Sequence, residues 1–226
     1  MDDNVIDDIS LEKLYEAAAS SGDKEMQDRN KTLLSVFDHT GARLDEALNL
    51  TRTAILTALE LAGEGEIVLI PLRSRHPLHG DTGKLRRYLG SGARGLIPVP
   101  KHIVVQWAEY IHTSRSSCVG RKEGDDDGCL LVSTRTGESL RSGAVIAILR
   151  DLSEAAGLAK PVTVQMIRNK FPDRIYGLIM QHLGSGTVDD YLAFKNALKR
   201  LSGHASKNFL SYYLLLNYVN TRLPKE

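Results

Sequence analysis

The residues with the most chemical potential lie near the C-terminus, in Leu201 to Val219, LSGHASKNFLSYYLLLNYV. A Gly-His pair and a polar turn lead to a tyrosine doublet that runs into an apolar helix. Tyr213 stands nine residues after His204. A tyrosine hydroxyl can attack a phosphodiester when neighbouring cations share the charge that develops. A free phenol titrates near about pH 10, so at neutral pH the site must stabilise that charge as it forms. On one uninterrupted helix nine residues make about two and a half turns and point the two side chains apart. A break near Ser206 to Asn208 is therefore expected.

Two upstream segments supply arginines: TGARLDEALNL at 40–50, with Arg43, and QMIRNKF at 165–171, with Gln165 and Arg168. A guanidinium presents a planar fork of donors that matches phosphate oxygens. Gln165 and Arg168 are three apart and share one helical face, so both can meet the same phosphate. In order, the three segments resemble the boxes of the tyrosine recombinase (phage integrase) family, and the match spans roughly residues 9 to 220.

The resemblance implies roles. Arg43 is similar to the first catalytic arginine and Arg168 to the second, Gln165 stands where the family usually has His, and Tyr213 is the nucleophile beside His204. The family also uses a lysine from a β-hairpin. After the corresponding strand, where relatives often read Arg-Ser-Lys-Thr, this chain has Arg73-Ser74-Arg75-His76, and Lys84 is the only lysine of the loop. Lys84 suits proton donation better, because an ammonium pKa can be lowered whereas a guanidinium stays protonated; Arg75 remains a competitor. Arg73, Arg75, Arg86, Arg87 and Arg94 are the candidate DNA-binding cations.

The implied products are a 3′-phosphotyrosyl link and a free 5′-hydroxyl, with no metal and no cofactor. The implied partner is double-stranded DNA. The apolar tail after Tyr213, LLLNYV, suggests docking on a neighbouring protomer, hence a homodimer or homotetramer on DNA. The alternative is a degenerate relative that holds DNA without cutting, motivated by Gln165, the unsettled lysine and Pro172, which would end or kink the second-box helix.

The elements that must position these residues read as α+β, mainly α-helical, with a small three-stranded antiparallel sheet. Residues 1–8 read as an acidic disordered start, and 9–226 as one catalytic domain without a separate N-terminal DNA-gripping domain, since the first box arrives at residue 40. Ser10 is the expected cap of a first helix, and Asn30 to Asp38 a second helix that Thr40-Gly41 ends. Leu44, Ala47 and Leu48 recur at helical spacing, which puts Arg43 at a helix entrance. Thr53 to Leu59, Glu66 to Leu72 and Leu96 to Val99 read as strands, from their β-branched and aliphatic content. Pro100 to His112 reads as an amphipathic helix with Trp107 in the core, followed by a mobile hydrophilic loop. Ser142 to Ala156 reads as a further helix, and Pro161 to Thr163 as the start of the one carrying Gln165 and Arg168.

Composition bounds the rest. The chain has 226 residues, 42% hydrophobic and 25% charged, enough to bury a core. It contains no apolar run of membrane-spanning length and no signal-peptide pattern, so a cytoplasmic, DNA-associated protein is expected. Cys118 and Cys129 are expected as free thiols, and with His102 and His112 they match no zinc-ligand spacing. The net charge is only +1, but it is uneven: residues 1–28 hold nine acidic and two basic side chains, and 71–101 hold seven Lys or Arg against one Asp. That asymmetry is compatible with one basic face.

Overall fold

In a computed structural model, residues 5–73, 93–121, 125–171 and 174 are described. Helix α1, Asp8–Ala19, starts where the Asp7 carboxylate accepts the Ser10 N–H at 2.8 Å. Asp7, not Ser10, is therefore the cap. Within the stretch expected as a disordered start, Ile6 is buried and its N–H donates to the Met166 carbonyl.

Helix α2, Lys24–Thr40, is capped by Asp23 and starts six residues before the expected Asn30. Its early turns are polar, yet Arg29, Asn30 and Thr32 are buried there. Local hydrogen bonds make that burial tolerable: Arg29 Nε donates to Asn30 Oδ1, and Asn30 Nδ2 to Ser21 Oγ. Gly41 closes the helix in the left-handed conformation, at φ +55°. The short helix α3, Leu44–Leu48, follows directly.

Helix α4, Arg52–Ala62, replaces the first expected strand. Thr51 caps it by accepting the Ala54 N–H, and its buried positions Ile55 and Ala58 have helical spacing. The β-branched residues of TRTAILTALELA favoured a strand, but packing of that stripe on the sheet overrides the local preference. Among the described residues the sheet therefore has two strands, not three: β1, Ile67–Arg73, antiparallel to β2, Ala93–Pro100. Ile67 faces Pro100 and Leu72 faces Gly95, with an irregularity between Leu72 and Arg73. Val68, Ile70 and Leu72 alternate into the core.

Helix α5, Lys101–Tyr110, runs through a π-helical turn, Ile111–Arg115, into α6, Ser116–Gly120. The stretch expected as a loop continues the rod because its polar side chains find partners. Ser114 donates to Asp28, Ser117 to Glu25, and Arg121 pairs with Glu25. Arg115 is buried, its fork of donors on both Asp126 oxygens. Trp107 is in the core as expected, its indole N–H donating to Ser35 Oγ.

Helix α7, Ser142–Ala155, buries Val145, Leu149 and Leu152. Residues 164–171 form α8, with Ile167 and Phe171 buried. Cys118 and Cys129 are free thiols. Among the described residues no helix is long and apolar enough to cross a membrane.

Candidate active site

The two arginine segments meet at Gly41. On one side Gly41 ends α2, and two residues later Arg43 caps α3. On the other side α8 lies against the same glycine: Arg168 Nε donates to the Gly41 carbonyl at 2.9 Å, and the Phe171 ring covers its Cα. A Cβ at position 41 would stand 2.6 Å from Phe171 Cγ, in addition to the backbone strain at φ +55°. Glycine is thus required twice, for the turn and for the close approach of α8.

Arg43 is held by its helix. Its N–H donates to Glu46 Oε2 at 2.7 Å, the reciprocal half of a capping box. Glu46 is fully buried, and its other oxygen lies 3.9 Å from Arg43 Nη1. The guanidinium remains about one third exposed, so it is oriented from behind and open in front. Arg168 is half-buried, and its bond to the Gly41 carbonyl fixes the plane of its fork beside the Arg43 turn.

Gln165 is exposed on the same helix, and its amide donates to the Asn169 side chain. Arg73 is exposed at the end of β1, where the chain leaves the sheet. The backbone of Arg94 lies in β2, but its side chain is outside the described residues. Lys84, Arg75, Arg86, Arg87, His204 and Tyr213 also lie outside them, as does Pro172. The structure therefore brings Arg168 to the Gly41 turn, two residues before Arg43, and puts Gln165 one helical turn before Arg168. Among the described residues no group of three or more His, Cys, Asp or Glu could hold a metal ion.

Several supporting residues escaped the sequence reading. Glu46 was detectable as an acidic residue three positions after a helix cap. Asp38, one turn before Gly41, was not. It is buried and takes Arg174 Nε on Oδ1 and Arg174 Nη2 on Oδ2, both at 2.6 Å. Tyr15 donates to the same carboxylate at 3.2 Å. Burial first, then the Asp38 charge, raises the Tyr15 pKa well above the ordinary phenol range, so it stays a neutral donor. Burial holds the His39 pKa below the ordinary imidazole range, although Asp38 opposes this. These groups line one wall of a cleft of about 390 Å³ between α2 and α5.

No protein-family model matches the sequence, and no curated protein does. Solved structures do. The XerA recombinase is 21% identical over 97% of this chain and 65% of its own, with a TM-score of 0.57. The XerH site-specific recombinase bound to difH substrate in a pre-cleavage complex is 16% identical over 96% and 50%, with a TM-score of 0.59. XerH in a post-cleavage complex with palindromic difH gives 16%, 87%, 50% and 0.54. This chain thus spans just under two thirds of the XerA chain and half of the XerH chain. At these identities the likeness is one of fold: the fold that carries Arg168 to the turn before Arg43 is the one these recombinase structures have.

Proposed function

We propose that the protein is a site-specific DNA recombinase that cleaves and rejoins DNA through a covalent link to Tyr213. The observation that carries this reading is the meeting of Arg168 with Gly41, 127 residues apart, which puts two guanidinium-bearing segments side by side in a recombinase fold. Neither segment can hold a phosphate this way alone.

The chemistry follows from those residues. Arg43 and Arg168 bind the two non-bridging oxygens of the scissile phosphate and offset the charge that grows there. His204 adds a hydrogen bond, and Gln165 adds another by exchanging its bond to Asn169 for one to phosphate. Tyr213 Oη forms the new bond to phosphorus as its proton passes to water. The bond to the 5′-oxygen breaks, and that oxygen takes a proton, from Lys84 in the preferred assignment or, in the other, from water while Arg75 offsets the charge. The ester energy stays in the protein–DNA bond, so a 5′-hydroxyl of a second strand can reverse the step and exchange strands. No metal or cofactor enters the scheme.

Double-stranded DNA is the proposed partner, gripped by Arg73, Arg75, Arg86, Arg87 and Arg94, and the proposed location is the cytoplasm. The apolar tail after Tyr213 supports docking between protomers on DNA. Light scattering of a chain ending at Asn217 tests this, and an unchanged oligomeric state would remove the docking role.

The central experiment is covalent trapping. The protein is incubated with nicked DNA fragments from the region flanking its own gene, denatured with detergent, and examined for a protein–DNA adduct. An adduct that Tyr213→Phe abolishes and Tyr212→Phe keeps is the expected result. Salt-sensitive binding to the same fragments without an adduct would instead support a DNA-holding protein that does not cut.

A further inference from the structure

Helix α8 and Arg174, three residues beyond its end, are fastened to the last turn of α2 at two points. The first is the Arg168 bond to the Gly41 carbonyl; the second is the fork of Arg174 on Asp38. Asp38 is 1% exposed and lies three residues before Gly41, in the last turn of α2. A carboxylate there opposes the partial negative charge of the helix end and is deprived of water, so it needs a cation and donors. Arg174 supplies the cation, and the Tyr15 hydroxyl from α1 supplies a further hydrogen bond. A buried ion pair of this kind adds little net stability over an apolar pair of similar size, but its fork geometry fixes orientation.

We infer that Asp38 is a positioning residue for the reaction: by clamping Arg174 it holds α8 in register on α2, so that Arg168 presents its guanidinium beside Arg43. The inference rests on the recombinase reading for its consequence in catalysis, but not for the geometry itself. Tyr15 is part of the device, because its hydroxyl from α1 donates to the Asp38 oxygen that also meets Arg174 Nη2. A misplacement of about 1 Å at a phosphate clamp can cost about a hundredfold in rate.

The test uses the full chain and two readouts. In protein labelled with ¹⁵N-arginine, the Arg168 Nε–H resonance is identified by its loss in Arg168→Lys, and its exchange with solvent is measured. Asp38→Asn and Arg174→Gln are each expected to speed that exchange at least about tenfold, while the Trp107 indole N–H, bonded to Ser35, keeps its rate. Arg174 is partly exposed, so its variant carries the test where Asp38→Asn does not fold. Single-turnover adduct formation at saturating DNA is expected to fall about tenfold to a hundredfold in both variants, with DNA affinity kept and with partial recovery in Asp38→Glu. An Arg168 Nε–H unaffected by loss of the pair would overturn the clamp. Faster exchange with adduct formation unchanged would overturn its role in the reaction. If the unaltered protein forms no adduct, the recombinase reading fails, and the exchange measurement still decides the clamp.

Discussion

At the scale of single residues, the Gly41 turn concentrates demands that few substitutions could meet. Gly41→Ala would strain a left-handed backbone by about 1–2 kcal/mol and push Phe171 aside for about 1–3 kcal/mol more. A fall in urea-measured stability of at least about 2 kcal/mol is expected, and a smaller one would mean that α8 does not bear on the glycine. Arg43→Ala and Arg168→Ala should each lower cleavage by about two to three orders of magnitude, as loss of a charge-stabilising donor does. Adduct formation that survives either change intact would refute the assigned roles. Arg43 was legible because helical spacing after it marks a helix entrance, and the family resemblance supplied its role. Glu46 behind it was within reach of the same local pattern, but the pairing of Asp38 with Arg174 was not legible, since it joins positions 136 apart that no local pattern links.

At the scale of elements, the largest departures share one cause. The TRTAILTALELA segment has β-branched residues that suit a strand and a spacing that suits a helix, and contact with β1 decides for the helix. The SRSSCVG segment is polar enough to pass for a loop, yet it forms α6 because Asp28, Glu25 and Asp126 receive its side chains. Both decisions were made by packing partners outside the segment itself, a neighbouring strand in the first case and residues of α2 in the second. The acidic partners also predict a response to pH. Hydrogen bonds from Arg115 chiefly lower the Asp126 pKa from 3.8 to about 2, and those from Arg121 chiefly lower that of Glu25 from 4.5 to about 2. A carboxylate lowered on folding stabilises the native state above its unfolded pKa, and the benefit is lost as pH falls through the folded value. The urea midpoint should therefore drop between pH 4.5 and 2, and drop less in Asp126→Asn. An equally steep fall in that variant would exclude the Arg115 pair as its source.

At the scale of the whole molecule, the candidate site has no existence below the complete domain. Its halves come from opposite ends of the described chain, joined where Arg168 reaches Gly41 and where Ile6 reaches Met166. Salt-sensitive DNA binding and far-ultraviolet circular dichroism should consequently be lost together in urea, within error of one transition. Binding lost well before the helices melt would show that α8 detaches on its own. The α5–α6 rod has a further consequence, through its π-helical turn Ile111–Arg115. A π turn holds one residue more than an α turn, which sets the phase of everything after it. Removing a single residue there, such as Thr113, would therefore let the rod relax to regular α-helix while α6 keeps its phase, with Arg115 still turned to Asp126 and Cys118 still inside. Helix α7 has no such slack: loss of one residue from its middle, such as Ile148, would swing everything after it by about 100°. The same one-codon deletion should thus be far milder in the π turn than in α7, because the rod carries a spare link.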